Sequence, residues 1–400
     1  MFVELHLIQN FAPSNLNRDD TGAPKDCEFG GYRRARISSQ CLKRAIRTSF
    51  AQERLLPSEH LGERTKRVVD EITQRLVVAG KPEQDARVVV EALLRGIGLS
   101  VESDGKTEYL LFLGRDELTK IAALCQEQWD VLSKVTTNAP DTGGDEQQAR
   151  GRSTAREAKR RGKAEVPREV QAATLSALDG GKAADLALFG RMIADLPRLN
   201  VDAACQVAHA LSTNRASMEF DFYTAVDDLR PEDTSGADML GTVEFNSACF
   251  YRYANVDLSQ LTTNLGGDAE LARRTLEAFL RAAISAVPTG KQNSMAAQNP
   301  PSFVFAVARE RGLWSLANAF VNPVRSGGDG LIASSITALA TYWAQLTAMY
   351  GQTGIVTTAA VSLDPAEMAP LRDVRVGTVE ELITRINAAA VFTDGNGLQA

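Results

Sequence analysis

Apolar and polar residues alternate from Val3 to Gln9, with Val3, Leu5 and Leu7 on one side, and a period of two over a short run predicts an opening strand. Residues 10–31 include Pro13, Asn15, Asn17, Asp19, Asp20, Gly22 and Pro24 and read as a loop, because these types favour turns over ladders. The period then changes. After Ser38 or Ser39, either of which suits an N-cap, Leu42, Ala45, Ile46, Ser49 and Phe50 recur at helical spacing. Gln40, Lys43, Arg44 and Arg47 then share the opposite face. Residues 59–134 read as mostly helical, through Val68, Ile72 and Leu76 and again through Ile121, Leu124, Trp129 and Leu132, as a subdomain inserted after the first helix. Asp185 to Met192 predicts a strand or strand end. The apolar flanks of His209, between Val201 and Leu211, predict a buried element.

Two further runs alternate. Met218, Phe220 and Phe222 interleave with Glu219, Asp221 and Tyr223, and Val243, Phe245, Ser247 and Cys249 interleave with Glu244, Asn246 and Ala248, as two strands of one long hairpin would. Residues 268–286 form an amphipathic helical pattern, and 287–301 a glycine and proline loop around Lys291. That loop lacks the upstream glycine and the following Ser/Thr of a phosphate loop. Strands are expected at 303–307 and 355–363, and helices at 331–350 and 378–390, the latter opened by a capping box of Thr378 and Glu381. The end from Thr393 is expected to fray.

Composition changes the picture in one respect. With 400 residues, 44% of them hydrophobic, the chain has room for two or three domains, or one with large insertions, and a real core. A net charge of -6 excludes a surface coated in positive charge, so any contact with nucleic acid has to be local. Yet Phe29 to Gln52 carries Arg33, Arg34, Arg36, Lys43, Arg44 and Arg47 and no acidic residue. Cations in a first turn oppose the helix dipole, and an anion lying across the helix start removes the conflict. Free backbone N–H groups, two serines and a cationic stripe suit a phosphate site there, the alternative being a solvated amphipathic face. Gly30, Gly31 and the three upstream arginines read as part of the same patch.

A second cationic run, Arg150 to Lys163, is interrupted only by Glu157 among acidic residues; it reads equally as a solvated arm and as a second nucleic-acid contact. The hairpin connection, residues 227–240, carries five acidic residues and one arginine, so it would meet nucleic acid by wedging or stacking. Cys27, Cys41, Cys125, Cys205 and Cys249 show no paired motif, and His6, His60 and His209 are scattered, so reduced thiols, no metal and no cofactor are expected. No long apolar run is free of charge and MFVELHLIQNF has no basic leader, which predicts a cytoplasmic protein with no membrane segment.

The segments LNRDDTGAPKDCEFGGYRRARISSQCLKRAIR, FYTAVDDL, LGTVEFNSACFYRYANVDL and PTGKQNSMAAQNP together resemble the backbone subunit of the type I-E CRISPR Cascade complex, the CasC family. The resemblance runs from the first strand to the late helices and is least between Glu53 and Ala183 and at the C-terminus. It implies an α+β fold: an RNA-recognition-motif-like (ferredoxin-like) palm, an inserted helical fingers subdomain and a protruding β-hairpin thumb. The implied boundaries are 1–58 for the first part of the palm, 59–183 for the fingers, 184–216 for more palm, 217–247 for the thumb and 248–400 for the remainder. The implied partners are a guide RNA (crRNA), further copies of the chain stacked along it, other Cascade subunits and target DNA. No chemistry is implied; base pairing by the guide reads the target.

Carried residue by residue, the resemblance places guide-backbone contacts on Arg18, Lys25, Ser38, Gln40, Lys43, Arg44 and Arg47. It places a base-packing methionine at Met192 and thumb contacts at Phe222, Tyr223, Thr224, Val226 and Leu240. Lys291 and Gln292 match the loop lysine and its neighbour, whereas Asn293 stands where relatives are basic. The lysines with which the family grips duplex DNA have no aligned counterpart; Arg152, Arg156, Lys159, Arg160, Arg161 and Lys163 are the nearest basic residues. One alternative is the related type III backbone subunit, which cuts target RNA with a metal and a first-loop aspartate, here Asp19 or Asp20. Against it, an Asp between Asn17 and Gly22 is an ordinary turn former. Another is a structural filament protein whose basic patch meets an acidic partner.

Overall fold

The computed structural model describes residues 1–137, 166–225, 239–326, 328 and 330–392. Strands in the described residues are β1 (Phe2–Ser14), β2 (Asp26–Phe29), β3 (Tyr32–Ile37), β4 (Gly62–Thr65), β5 (Leu111–Gly114), β6 (Cys205–Val207), β7 (Ala210–Ser212), β8 (Glu219–Ala225), β9 (Met239–Asp257), β10 (Phe303–Arg309) and β11 (Ile355–Ser362). The chain divides into two compact units, one of Met1–Leu55, Cys205–Leu258 and Arg273–Phe392, the other drawn from Leu56–Ala204 and Ser259–Ala272.

The first unit is built on a sheet in the order β11-β10-β1-β9-β7-β3-β2, with β6 and β8 also pairing with β9. Alternation in β1 does separate two faces, but both are buried. Leu5 and Leu7 line a small cavity with Leu42 and Ile46 of the helix Ser39–Gln52 and Ala283 of the helix Ala269–Ser285. Ile8, Phe303, Phe305 and Val307 pack instead with Ile336, Leu339 and Trp343 of the helix Gly330–Tyr350. No helix among the described residues is long and apolar enough to cross a membrane.

Polar residues on the second face pair within the protein, although His6 Nε2 and Arg309 Nη1 have no hydrogen-bond partner. Glu4 accepts from the Tyr253 hydroxyl at 2.9 Å and the Trp314 N–H at 2.6 Å, and pairs with Arg309 at 3.2 Å, whose guanidinium lies 4.2 Å from the Trp314 ring centroid. Beside it, His6 Nδ1 meets the Tyr251 hydroxyl at 2.9 Å. Burial first, and the Arg309 charge second, push the His6 imidazole down to about 3 from its ordinary 6.5.

This lowered value sets a pH dependence. The unfolded chain protonates His6 as pH falls through about 6.5, while the folded protein refuses the proton until far lower, so stability is lost across that window, by roughly 2 kcal/mol between pH 6.5 and 5. Glu4, raised mainly by burial, acts in the opposite direction. Thermal unfolding followed from neutral pH to about pH 5 should show a falling midpoint, and His6→Phe should flatten that fall while lowering the midpoint at neutral pH. An unchanged slope in the variant would assign the dependence elsewhere.

Several sequence expectations change. Residues 10–31 are not all loop: β1 continues to Ser14, and β2 pairs with β3 across a two-residue turn at Gly30 and Gly31, both at positive φ. Residues 184–189 are a helix, not a strand; the run ADLALF is buried throughout, and a short run buried on all sides has no diagnostic period. His209 is exposed between β6 and β7 rather than buried. The expected strand at 303–307, the helix at 331–350 and the Thr378 cap all occur, the Thr378 hydroxyl accepting from the Glu381 N–H at 3.1 Å.

The second unit packs helices Val68–Val78, Glu83–Ile97, Arg115–Glu127, Trp129–Thr137 and Arg168–Ala177 around Ile72, Leu76, Val90, Leu93, Leu118 and Ile121, as the apolar spacing predicts. The short antiparallel pair of β4 with β5 was not visible in that spacing. At its centre Glu117 is fully buried. It accepts from Arg191 at 2.7 and 2.9 Å and from the N–H groups of Gly114 and Gly180, both at 2.7 Å.

Candidate nucleic-acid interface

The helix Ser39–Gln52 buries Leu42, Ala45, Ile46, Ser49 and Phe50 and leaves Gln40 and Arg44 exposed and Lys43 and Arg47 half-buried, the two-faced arrangement that the sequence predicts. Ser38 is its N-cap, its hydroxyl accepting from the Cys41 N–H at 3.3 Å while its own N–H donates to Asn17 at 2.8 Å. Ser38 is therefore a buried capping residue.

The arginines upstream do not extend the patch as one surface. Arg34 is fully buried, and its guanidinium donates to the carbonyls of Ser212, Thr213, Phe320 and Val321. Arg33 pairs with Asp26. Arg36 donates to the Asp26 carbonyl at 3.1 Å and meets His209 Nδ1 at 3.0 Å. His209 was not anticipated here, because a strand connection brings it to the helix start from far along the chain. Partial burial, then Arg36 and Lys25, hold its imidazole below the ordinary value.

The loop carrying Arg18 and Lys25 is a small closed hairpin. The Lys25 N–H donates to the Asn17 carbonyl at 2.9 Å, and the Lys25 carbonyl accepts from the Arg36 N–H at 2.9 Å. At its tip, Asp19 accepts from the Thr21 N–H and hydroxyl and the Ala23 N–H at 2.8 to 3.0 Å, which keeps its carboxyl below the usual range, chiefly through the Thr21 hydroxyl. Its carboxylate is a turn former. Burial raises the Cys41 thiol and the charges of Lys25 and Arg44 lower it, so both cations lie near Cys41, whose thiol is 3.8 Å from the Leu16 carbonyl. The Lys291 loop reaches the same place: a Cβ at Gly290 would lie 2.3 Å from the Leu16 carbonyl oxygen. Gln292 is turned inward, its amide donating to the carbonyls of Pro288 and Ala297 at 3.0 and 3.2 Å.

β8 pairs with the first part of β9, and every residue of β8 is exposed, so this ribbon stands clear of the core on both sides. Alternation puts Phe220, Phe222 and Thr224 on one face and Tyr223 on the other. Phe220 and Phe222, 66% and 64% exposed, are therefore the apolar pair, and Phe220 was missed because the resemblance did not mark it. Tyr223 lies over Gly241, where an added Cβ would come 2.3 Å from the ring, so it packs the ribbon itself. Leu240 is paired opposite Thr224. Val226, Arg152, Arg156, Lys159, Arg160, Arg161 and Lys163 lie outside the described residues. Met192, in the second unit, is 81% exposed and is held outward by its buried neighbours Arg191 and Ile193.

The profile of the CT1975-like protein family matches residues 3–385. The chain belongs to that family. Among solved structures it is similar to a chain of a "CRISPR RNA-guided surveillance complex, pre-nicking", at 32% identity and a TM-score of 0.82, over 98% of this chain and 100% of that one. It is also similar to a chain of a "CRISPR RNA-guided surveillance complex", at 28% identity and a TM-score of 0.70, over 98% and 100% respectively. No curated protein matches.

Proposed function

We propose that the chain is a guide-RNA-binding backbone subunit of a CRISPR RNA-guided surveillance complex, in the type I-E arrangement its motifs resemble. Copies stack along one crRNA beside other Cascade subunits in the cytoplasm, and the guide's bases stay available to target DNA. The observation that carries this reading is the stripe of Lys43, Arg44 and Arg47 on the unburied face of one helix, with the Lys291 loop resting on Leu16 of the preceding loop, in a chain of net charge -6. Cations so confined suit a phosphate track. Antiparallel β10, β1, β9 and β7, with two helices over one face, support an RNA-recognition-motif-like palm. The helical unit corresponds to fingers and the β8–β9 ribbon to a thumb.

On this reading the ribbon touches bases with Phe220 and Phe222, each stacked base contributing about 1–3 kcal/mol without regard to sequence. Chemical probing of guide bases in the assembled complex should give reactivity at a regular interval. Phe220→Ala with Phe222→Ala should blur it, and Tyr223→Ala alone should do so less. Uniform reactivity along the wild-type guide would sink the wedge.

The proposed subunit does no chemistry, which the turn-forming role of Asp19 supports. Complementary RNA incubated with the assembled complex and manganese should stay intact. Cleavage that vanishes in Asp19→Ala or Asp20→Ala would put the type III-like nuclease in its place.

A further inference from the structure

Residues 15 and 16 join three separate elements of the first unit. Asn15 is fully buried, and its side-chain amide divides its two N–H groups between the Gly22 carbonyl in the first loop and the Glu244 carbonyl in β9, both at 2.9 Å. Glu244 is paired with Phe220, so this second bond reaches the root of the exposed ribbon. On the other side, the Gly290 backbone rests directly on the same two residues: a Cβ there would be 2.3 Å from the Leu16 carbonyl oxygen and 2.8 Å from that of Asn15. No side chain fits that approach.

The Lys291 loop is tightly constrained from its other end too. Asn299 accepts from the Ala12 N–H at 3.0 Å through its side chain and from the Gln9 amide at 2.6 Å through its carbonyl. Within the loop, Lys291 and Ala296 adopt φ of 51° and 47° without being glycine. Such backbone persists only where the surroundings over-determine it.

We propose that Asn15 and Gly290 are positioning residues, which lock the Arg18–Lys25 loop, the Lys291 loop and the ribbon root into one preformed cradle before RNA arrives. This rests on the RNA-binding reading above. Preforming the cradle removes the ordering cost from the binding step, so phosphate-facing cations and base-facing aromatics keep a fixed spacing. Asn15 suits the junction because an isosteric aspartate offers two carbonyls no proton. A single methyl at 290 would lift the Lys291 loop away from the first.

The test compares the full-length protein with Asn15→Asp, Gly290→Ala and the double variant, by RNA titration over a range of salt and by amide hydrogen exchange without RNA. Each single variant should weaken RNA binding about tenfold and flatten the salt dependence, since cations of two loops lose register together. The double variant should be little worse than either alone, because both break one coupling. Amides of Ala23 and Lys25 should exchange faster even in Gly290→Ala, while those of Leu5 and Leu7 keep their rates. Strictly additive losses, unchanged RNA binding, or equal acceleration at Leu5 and Leu7 would overturn the proposal. If the wild-type protein binds no RNA, the functional reading falls, and the exchange at Ala23 and Lys25 still decides whether Gly290 and Asn15 couple the loops.

Discussion

Arg191→Met is expected to destabilise the helical unit by about 3–5 kcal/mol, because it leaves the Glu117 carboxylate buried with no countercharge. The wild-type pair is 1% and 0% exposed, and Arg191 also donates to the carbonyls of Leu178 and Leu199 at 3.0 and 3.1 Å. Glu117 in turn holds the N–H groups of Gly114 and Gly180, so the pair fastens the start of one helix to the 178–180 turn. Thermal unfolding watched by a probe in this unit should shift down by about 10 °C. Glu117→Gln keeps the shape but loses the charge, and should cost less than Arg191→Met. Adding Glu117→Leu to Arg191→Met should restore only part of the loss, since four backbone groups stay without partners. A midpoint within a degree or two of wild type in Arg191→Met would show that the unit tolerates the lone charge. The functional consequence is local: Met192 follows Arg191 and would lose its fixed outward position.

Replacing Lys43, Arg44 and Arg47 together by alanine is expected to weaken every RNA alike. If each contacts one phosphate, the salt slope falls by about 0.7 per residue, or roughly 2 in all, which near 0.15 M salt corresponds to about fifty-fold in affinity. The expected sign is the same for guide and unrelated RNA, because phosphates carry no sequence. The helix should survive, since its core side, Leu42 to Phe50, is untouched and cations near its start oppose the dipole. An unchanged slope with intact folding would mean that this face does not meet phosphate.

What could be read from sequence was what local chemistry decides. The basic helix, its N-cap, the β8–β9 ribbon and the late helices follow from period and capping, and the structure keeps them. What failed depends on contacts between distant residues. Arg34 and Arg36 look alike in sequence, yet Arg34 is consumed by four carbonyls from two remote segments and Arg36 faces His209. The helix 184–189 carries no helical signal in sequence, because burial on every side erases its period. The resemblance names Phe222 and Tyr223 together as thumb contacts, yet a strand sends neighbours to opposite faces, and of the two it is Phe222 that shares its face with Phe220. The junction at Asn15 and Gly290 left only turn-forming residue types as its signal, since its meaning lies in a carbonyl more than two hundred residues away.

RNA recovered from the protein, purified with its genomic neighbours, decides whether the chain holds a guide. One population of defined length is expected, retained at moderate salt by the wild-type chain and depleted in the Lys43, Arg44 and Arg47 triple alanine variant. A preparation free of RNA, or one holding RNA of random length that the triple variant keeps equally well, would contradict it.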